Sequence, residues 1–497
     1  MLFAEVVAVS ATVAATRSRL AKVDALAGLL QRLSPEEVDP VVAWLAGEPR
    51  QGRIGTGWRT LSSVETLPAT EPSLDVGAVD TALEGIAGTS GAGSAQRRAG
   101  ALGRLFAAAT ADEQTFLRRL LTGELRQGAL EGIMVDAVAR AAAVPSDAVR
   151  RAFMLSGRLP ATAVAALRGG TAALAEVGLQ VGRPVRPMLA SPATNLDEAL
   201  ADLGTDVSVE YKLDGARIQI HRDGEDVGVY TRSLRDITGA VPELVAWTLR
   251  LPCRSVVLDG ESLALTDEGR PRPFQESVSL AGSGVQRPNV FDCLHLDGQD
   301  LIDAPLTERL DALTSVAARE RIPGVVRPDE AAAAAVLAGS LAAGHEGVMV
   351  KALGSPYAAG RRGRAWQKVK PVHTFDLVLL GAEWGYGRRT GMLSNIHLGA
   401  LDPESGEPVM VGKTFKGMTD ELLAWQTATF PGLSTGTDGH VVYLRPELVV
   451  EIALDGVQRS TRYPGGIALR FARVLRYRPD KTPAEADTLD ALQALLP

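Results

Sequence analysis

The hydrophobic pattern of the chain changes once, near residue 190, and this change constrains the fold more than any other feature. Before it, Ala-, Leu- and Arg-rich stretches carry apolar residues three and four positions apart, a spacing typical of helices. After it, short β-rich runs alternate with turns, as in Val207–Leu213 and Arg217–Arg222. A chain of 497 residues is also too long for one compact core. The sequence therefore predicts a helical region followed by strand-rich domains.

Three domains follow from this pattern. We expect an all-α domain over residues 1–190, a mixed α+β domain over 191–375 and a β-barrel over 376–497. Helical stretches at Val241–Leu251 and Leu306–Glu320 interrupt the strands of the second domain. The last domain is indicated by four strand-like runs: Leu377–Gly381, Ser394–Leu401, Pro408–Lys413 and Val449–Leu454.

The first domain contains a possible phosphate-binding shape. A helix is predicted from Ala111 to Leu121, a break at Gly123, and a second helix over 124–132. Backbone N–H groups at a helix start favour a phosphate, and nearby arginines could add positive charge. The alternative is that these arginines form an ordinary solvated helix face. The arginines concerned are Arg118, Arg119 and Arg126. Earlier in the domain, Thr12–Leu33 is predicted as one helical stretch, and Ser34 as the cap of the next helix.

Composition excludes several classes of protein. The two cysteines, Cys253 and Cys293, cannot supply a four-cysteine zinc site or a disulfide framework. The six histidines show no metal-ligand spacing. We find neither a signal peptide nor an apolar membrane span, so a cytoplasmic protein is expected. The net charge of −7 is unfavourable for a nucleic-acid partner, although phosphate affinity depends on local patches and residues 1–190 hold 20 basic against 18 acidic residues.

Lysine is rare, because only eight of the 52 basic residues are Lys and the other 44 are Arg. A Lys kept against this background suggests chemistry that a guanidinium cannot perform, since an amine can lose its proton and attack phosphorus or carbon. Lys212 lies in Glu210-Tyr-Lys212-Leu-Asp214-Gly215 and is our candidate nucleophile. An isolated Lys-x-Asp-Gly is more often a surface turn, so the interpretation depends on what accompanies it.

Further short motifs follow Lys212 in a fixed order. This ordered set resembles the covalent nucleotidyltransferase superfamily and, within it, the ATP-dependent DNA ligases of the bacterial three-domain type. The resemblance covers nearly the whole chain. One departure is Ala472, where the family tract usually has Pro. The motifs are Tyr230-Thr-Arg232-Ser233, Leu258-Asp-Gly-Glu261, Val290-Phe-Asp292, Glu346-Gly-Val-Met-Val-Lys351, Trp366-Gln-Lys-Val-Lys370 and the tract from Arg470 to Lys481.

The resemblance implies that Lys212 carries AMP as a phosphoramidate after attack on the α-phosphate of ATP. Glu210 would contact adenine from the same strand face, and Phe291 would stack on the base. Arg217 and Arg232 resemble the pair that contacts ribose and phosphate. Taken singly, Phe291 would be read as a core residue and Glu261 as part of a hairpin turn; only their joint order changes that reading.

Further roles are implied for charged residues around the phosphates. Glu261 resembles a ribose-side or metal-side carboxylate and Glu346 a second one, so that both could hold Mg²⁺ directly or through water. Three cations resemble nucleotide or α-phosphate contacts. Two residues of the last domain would orient pyrophosphate after that domain swings onto the nucleotide. The three cations are Arg362, Lys368 and Lys370, and the last pair is Asp480 and Lys481.

The resemblance thus predicts a helical DNA-binding domain, an adenylation domain and a C-terminal oligonucleotide-binding (OB) barrel. It implies an ATP-dependent DNA ligase that seals nicks in duplex DNA and acts as a monomer. An RNA ligase or a GTP-using capping enzyme would share the lysine but would not need the helical region. An NAD-dependent ligase would need a cysteine-rich zinc module. A non-catalytic DNA-binding scaffold is the alternative from another class.

Overall fold

The computed structural model describes most of the chain, and its described parts form two compact units. The first unit contains Met1–Ser191, Gly215–Pro323 and Lys351–Trp366, and the second contains Pro192–Asp214, Gly324–Val350 and Gln367–Pro497. The middle of the chain contributes to both units. The described residues are 1–52, 54–57, 60–61, 64, 66–125, 131–264, 286–358 and 362–496.

Helices make up the N-terminal part of the first unit, as the apolar spacing predicts. The predicted continuous helix over Thr12–Leu33 is wrong: it is broken at residues 16–18, and the side chain of Ser18 caps a new helix by accepting from the backbone N–H of Ala21. The helix predicted at Ser34 begins only at Val38. The helices are α1 (Phe3–Ala15), α2 (Arg19–Leu30), α3 (Val38–Ala46), α4 (Val76–Ala87), α5 (Ser94–Ala108), α6 (Ala111–Leu121), α7 (Glu131–Ala141), α8 (Ser146–Ser156) and α9 (Leu159–Ala175).

Aromatic packing closes the core of this helical region. Phe3 of α1 is fully buried and meets two rings edge-on, Trp44 of α3 at 5.5 Å and Phe116 of α6 at 5.6 Å between centroids. Edge-to-face pairs of this kind stabilise a fold by about 0.5–1.5 kcal/mol beyond their buried area. The helix predicted from Ala111 to Leu121 is confirmed with these bounds, and Gly123 takes a positive φ of 71° in the turn after it.

Mixed strands and helices follow. One sheet of this region is antiparallel, has the strand order β4-β3-β5-β6-β7 and lies in the first unit. The helices α11 and α12 pack on it. The elements are β1 (Leu189–Ala193), α10 (Leu196–Leu203), β2 (Val207–Lys212), β3 (Ala216–Asp223), β4 (Asp226–Thr231), α11 (Pro242–Leu249), β5 (Ser255–Ala264), β6 (Gln286–Leu296), β7 (Gln299–Asp300), α12 (Leu306–Ala317), β8 (Gly324–Val326), α13 (Glu330–Ala342), β9 (Gly347–Ala352) and β10 (Arg362–Val369).

A second sheet, of order β1-β10-β9-β2-β8, positions the nucleophile candidate. Val207 and Val209 of β2 are fully buried in one cluster with residues of α10 and α13. Because successive side chains of a strand point to opposite faces, Glu210 and Lys212 lie on the face away from these helices. The sequence-based prediction that Glu210 and Lys212 share a strand face agrees with this arrangement.

Strands dominate the C-terminal region, which forms a strand-rich half-barrel. Its main sheet has the strand order β13-β12-β11-β15-β14, and β16 extends this sheet by pairing with both β11 and β19. The strands β17 and β18 form a separate pair. Leu377, Ile396 and Val450 are fully buried in its core. The elements are β11 (His373–Trp384), β12 (Leu393–Leu401), β13 (Pro408–Thr414), α14 (Asp420–Thr429), β14 (Ser434–Asp438), β15 (Val441–Leu444), β16 (Val449–Leu454), β17 (Gly456–Arg459), β18 (Ile467–Arg470), β19 (Arg473–Tyr477) and α15 (Leu489–Gln493).

A substitution at Gly347, at the start of β9, tests the packing of the second sheet. Its φ of +138° disfavours L side chains, and a Cβ there would lie 2.1 Å from the carbonyl oxygen of Val369. Gly347→Ala should therefore destabilise the protein by about 2–4 kcal/mol, measured as the shift of the urea unfolding midpoint. Gly28→Ala is the control, because a Cβ at Gly28 in α2 meets nothing within 4 Å and should be neutral or stabilising. Equal midpoints for the two variants would contradict the assigned packing.

Candidate active site

Lys212 and Glu346 form the centre of a charged cluster in the second unit. The Lys212 ammonium donates to the Glu346 carboxylate, and the backbone N–H of Glu346 donates to the carbonyl of Lys212 at 3.0 Å. The end of β2 and the residue before β9 are therefore joined through both main chain and side chain. Both side chains are largely buried but retain contact with solvent, at 22% and 16% exposure. The nucleophile candidate is thus oriented by a carboxylate and remains accessible.

A second lysine shares the same carboxylate. The Nζ atom of Lys370, directly after β10, lies 2.7 Å from the Glu346 oxygen that also accepts from Lys212. Lys370 also lies 3.7 Å from Asp455, which follows β16. The structure therefore brings three residues predicted from the motifs, Lys212, Glu346 and Lys370, into one cluster.

An arginine from β18 completes the cluster. Arg470 donates to Asp214 at 3.0 Å, and its second terminal nitrogen lies 3.8 Å from Glu346. Asp214 is the aspartate of the Lys-x-Asp-Gly motif. No role for Arg470, Asp214 or Asp455 was predicted from the sequence, although the first two lie within motifs that the sequence singled out.

The charge balance of the cluster fixes the ionisation of Glu346. Burial alone would raise the pKa of this carboxyl, but Lys212 and Lys370 outweigh burial and hold the pKa at about 2. Glu346 is therefore anionic throughout the neutral range. A carboxylate that keeps its charge can orient cations or help to hold a metal ion.

Two other predicted residues flank this cluster on the strands that carry it. Glu210 is only 2% exposed and accepts from the hydroxyl of Ser208 at 3.0 Å. Lys368 lies on β10 and is half-buried, separated from Lys370 by the buried Val369. The alternation predicted for residues 368–370 is present, and the ligands of these side chains stay predictions.

A second, separate network in the first unit contains Arg217. Its guanidinium donates to both carboxylate oxygens of Asp259, at 3.0 and 2.6 Å, and to the carbonyl of Met188 at 2.7 Å. The hydroxyl of Tyr357 donates to Asp259 at 2.6 Å and accepts from the N–H of Met188 at 3.0 Å. Sequence reasoning missed Tyr357, because no local pattern links it to a strand about a hundred residues away.

Two more predicted residues lie near Arg217 in the same unit. Glu261 on β5 is its cross-strand partner on β3. The ring of Phe291 on β6 lies 5.4 Å from the Arg217 guanidinium and 4.5 Å from the ammonium of the buried Lys351. Arg217, Glu261 and Phe291, all predicted nucleotide contacts, are therefore grouped by adjacent strands of one sheet.

Other predicted residues lie elsewhere. Arg232 is exposed in the turn after β4, and Arg362 begins β10, its side chain being outside the described part. Asp480 pairs with Arg478 at 2.7 Å, and Lys481 donates to Asp376 at 2.6 Å. The contacts described for Asp480 and Lys481 are thus within the strand-rich region and do not include Lys212.

The predicted DNA-contact arginines differ in their surroundings. Arg118 donates to the carbonyls of Leu61 and Val64 and lies over the ring of Phe106 at 4.7 Å, which gives it a packing role. Arg119 is exposed on α6. Arg126 lies outside the described residues, and the helix predicted to resume at residue 124 begins at Glu131 in the described part of the chain.

The donor set fits Mg²⁺ only with help from a substrate. Among the described residues, no group of three or more His, Cys, Asp or Glu side chains could hold a metal ion alone. Mg²⁺ commonly takes one or two carboxylates and completes its shell with substrate phosphates and water. Glu346 is anionic and retains contact with solvent, so it is a suitable carboxylate of this kind, and the metal-side role of Glu261 stays a prediction. The described helices include none with the length and apolar character that a membrane span requires.

The helical N-terminal region, the nucleotidyltransferase-like middle and the strand-rich C-terminal half-barrel define a class of multidomain nucleotidyltransferase. Three family models match in chain order: DNA ligase N terminus at residues 58–139, ATP dependent DNA ligase domain at 187–370, and ATP dependent DNA ligase C terminal region at 389–481. The chain belongs to the ATP-dependent DNA ligase family.

Individual relatives agree with this assignment. Two curated proteins called "Probable DNA ligase", from Rhodococcus jostii (strain RHA1) and Nocardia farcinica (strain IFM 10152), are 66% and 62% identical over the full length of both chains. A solved structure titled "Pmar-Lig_PreS3" covers 96% of this chain and 100% of its own with a TM-score of 0.60. At 17% identity that structure supports the fold alone.

The Glu346 cluster predicts a specific pH dependence of stability. Because the folded-state pKa of about 2 lies below the ordinary 4.5, the carboxylate contributes stability above pH 4.5 and loses it as the pH falls towards 2. Glu346→Gln should therefore lower Tm at pH 7, with a difference from wild type that shrinks between pH 4.5 and 2. Thermal melts at each pH measure this difference. Glu404→Gln, at an exposed turn, is the control and should show no comparable loss at pH 7.

Proposed function

We propose that this ATP-dependent DNA ligase seals nicks in duplex DNA with Lys212 as its covalent carrier. The observation that carries the proposal is the ammonium of Lys212, accessible at the end of β2 and held by a carboxylate that it shares with Lys370. An amine in this setting is oriented and lies beside a second cation. Attack on phosphorus requires Nζ to give up a proton as the new bond forms.

The first step forms a bond between Nζ of Lys212 and the α-phosphorus of ATP, breaks the α–β phosphoanhydride bond and releases pyrophosphate. In the second, an oxygen of the 5′-phosphate attacks the AMP phosphorus and the P–N bond breaks, which frees Lys212. In the third, the 3′-hydroxyl attacks the 5′-phosphorus and AMP leaves. Lys370 and Lys368 would stabilise negative charge that builds up on the α-phosphate.

The remaining predicted residues receive roles in binding. Glu210 would contact adenine and Phe291 would stack on it. Arg217 and Arg232 would contact ribose and phosphate, with Glu261 beside them. Arg362 would contact the nucleotide, and Asp480 and Lys481 would orient pyrophosphate. That last role requires the C-terminal domain to move, because the described contacts of these two residues lie within the strand-rich region.

Magnesium would be held by Glu346 and Glu261 with phosphate oxygens and water. When bound, Mg²⁺ neutralises phosphate charge and so lowers the cost of placing a triphosphate beside carboxylates. The residues themselves bind and orient the nucleotide. The anionic state of Glu346, with its pKa held at about 2, supports such a role at every working pH.

DNA would be held chiefly by the helical region. Arg119 is exposed on α6 and would contact a phosphate. We propose the same kind of contact for Arg126 on the basis of the sequence. We propose the domain bounds 1–190 for this DNA-binding region, 191–375 for the adenylation domain and 376–497 for the OB domain. The partner proposed is a nicked duplex, bound by a monomer.

Covalent labelling tests the carrier. Wild-type protein incubated with α-³²P-ATP and Mg²⁺ should become labelled, and nicked duplex DNA should discharge the label. Lys212→Ala should reduce labelling by at least about 10³-fold, because it removes the only atom that forms the P–N bond. Lys212→Arg is the matched control for charge: it keeps a cation beside Glu346 but cannot act as a nucleophile, and it should fail equally.

The outcomes separate the alternatives. Label from α-³²P-GTP in place of ATP would indicate a capping-type enzyme, and discharge on nicked RNA alone would indicate an RNA ligase. Retention of label in Lys212→Ala would show that another residue carries the nucleotide. Absence of label from either nucleotide in the wild type would leave only the DNA-binding scaffold.

Metal removal should abolish labelling reversibly. With EDTA in excess, the triphosphate carries its full negative charge next to Glu346, so both binding and pyrophosphate departure should be impaired. Labelling should return when MgCl₂ exceeds the chelator, and a thermal melt in EDTA should show that the fold is intact. Undiminished labelling in EDTA would refute the proposed metal role.

A further inference from the structure

Tyr357 lies in the segment between β9 and β10 and is 2% exposed. Its backbone N–H donates to the carbonyl of Ile302 at 2.9 Å, and its ring meets that of Trp366 edge-on at 5.9 Å. The main chain and the ring of Tyr357 are therefore each held by a contact, so the position of the hydroxyl is set by the surrounding fold.

The hydroxyl lies at the centre of a buried polar network. It donates to Asp259 at 2.6 Å, accepts from the backbone N–H of Met188 at 3.0 Å and lies 3.3 Å from Nη2 of Arg217. Burial, reinforced by the neighbouring Asp259, raises the pKa of Tyr357 well above its usual value. The phenol therefore stays protonated at neutral pH and can act as a donor to Asp259.

Most of the N–H groups of Arg217 donate within this network. Its Nε and Nη2 atoms bind Asp259, Nη2 also reaches Tyr357, and Nη1 binds the carbonyl of Met188. Among the described residues these contacts occupy four of the five N–H groups of the guanidinium. One N–H, on Nη1, remains for a ligand, and its direction is set because the other four are fixed.

We propose that Tyr357 is a positioning residue for Arg217: its hydroxyl holds Asp259, and Asp259 holds the guanidinium so that the remaining N–H is offered to the bound nucleotide. This rests on the proposed contact between Arg217 and the ribose and phosphate of ATP. A planar guanidinium presents its donors in a fixed fork, so a small rotation misdirects every donor together. Because the Tyr357 hydroxyl is neutral, it donates a hydrogen bond to Asp259 and leaves the negative charge of Asp259 to interact with Arg217.

Single-turnover adenylylation with ATP and Mg²⁺ tests the proposal with Tyr357→Phe, which removes only the hydroxyl. Loss of a hydrogen bond to a charged group predicts a rise of about tenfold in the apparent Kd for ATP. The maximal rate of labelling should change less, because the contact is made in the ground state. In an Arg217→Ala background, Tyr357→Phe should have no further effect on the Kd, since there is no guanidinium left to position.

Tyr477→Phe is the matched control. Tyr477 is likewise a tyrosine with a pKa raised by burial, and its hydroxyl lies 3.0 Å from Gln426 in the strand-rich region; it is not a member of Arg217's network. Its loss should leave the Kd for ATP unchanged. Asp259→Asn tests the same network while Tyr357 is retained. It should raise the Kd for ATP, and this rise should be absent in the Arg217→Ala background.

Three results would overturn the proposal. These are an unchanged Kd in Tyr357→Phe, additive effects of Tyr357→Phe and Arg217→Ala, and an equal rise in Tyr477→Phe. If the wild type is labelled and Lys212→Ala is not, any of these results rejects the positioning role alone. If the wild type is not labelled, the proposed carrier itself fails, so the two failures are distinguishable.

Discussion

The Glu346 carboxylate is the group on which three clustered cations of the second unit converge. Lys212 and Lys370 bind one of its oxygens, and Arg470 approaches the other at 3.8 Å. Three cations gathered in a partly buried space would repel one another, and each would lose hydration without compensation. Glu346, whose pKa is held at about 2, provides that compensation together with Asp214 beside Arg470 and Asp455 near Lys370. The ends of β2, β10 and β18 and the start of β9 meet around these carboxylates.

The two charged networks differ in a way that matches their proposed tasks. Around Glu346, lysines share a carboxylate through single point contacts, which can rearrange when a triphosphate arrives. Around Asp259, a guanidinium is held by paired hydrogen bonds and backed by Tyr357, which fixes its plane. A nucleophile has to lose a proton and form a bond, whereas a binding group works best when it does not move. The scarcity of lysine in the chain is consistent with this division, because arginine suffices wherever a fixed cation is needed.

Local pattern in the sequence predicted much of the fold, and the resemblance of the ordered motifs predicted that Lys212, Glu346 and Lys370 lie close together. The two-residue period of β2 predicted that Glu210 and Lys212 share a face, and helix signals gave Ala111–Leu121 with its bounds. The same signals failed over Thr12–Leu33, where apolar spacing continues through a break that Ser18 caps. Distant partners to which no motif assigns a role were not predicted: Tyr357 meets Asp259, and Asp455 meets Lys370, through folding of the chain and not through any local spacing.

The net charge of −7 shows why a charge total is a poor guide to the DNA-binding surface. Arg118 counts as a basic residue in the sequence, yet its guanidinium binds two backbone carbonyls and the face of Phe106. Arg309 is likewise fully buried against Asp292. Such arginines are already bound within the protein, so they add little to the attraction of phosphate. Arg119, next to Arg118 on α6, is exposed, so its guanidinium is the one proposed to contact a phosphate. The positive surface that faces DNA therefore has to be derived from exposed guanidinium groups, one by one, and adjacent arginines of one helix can differ completely in this respect.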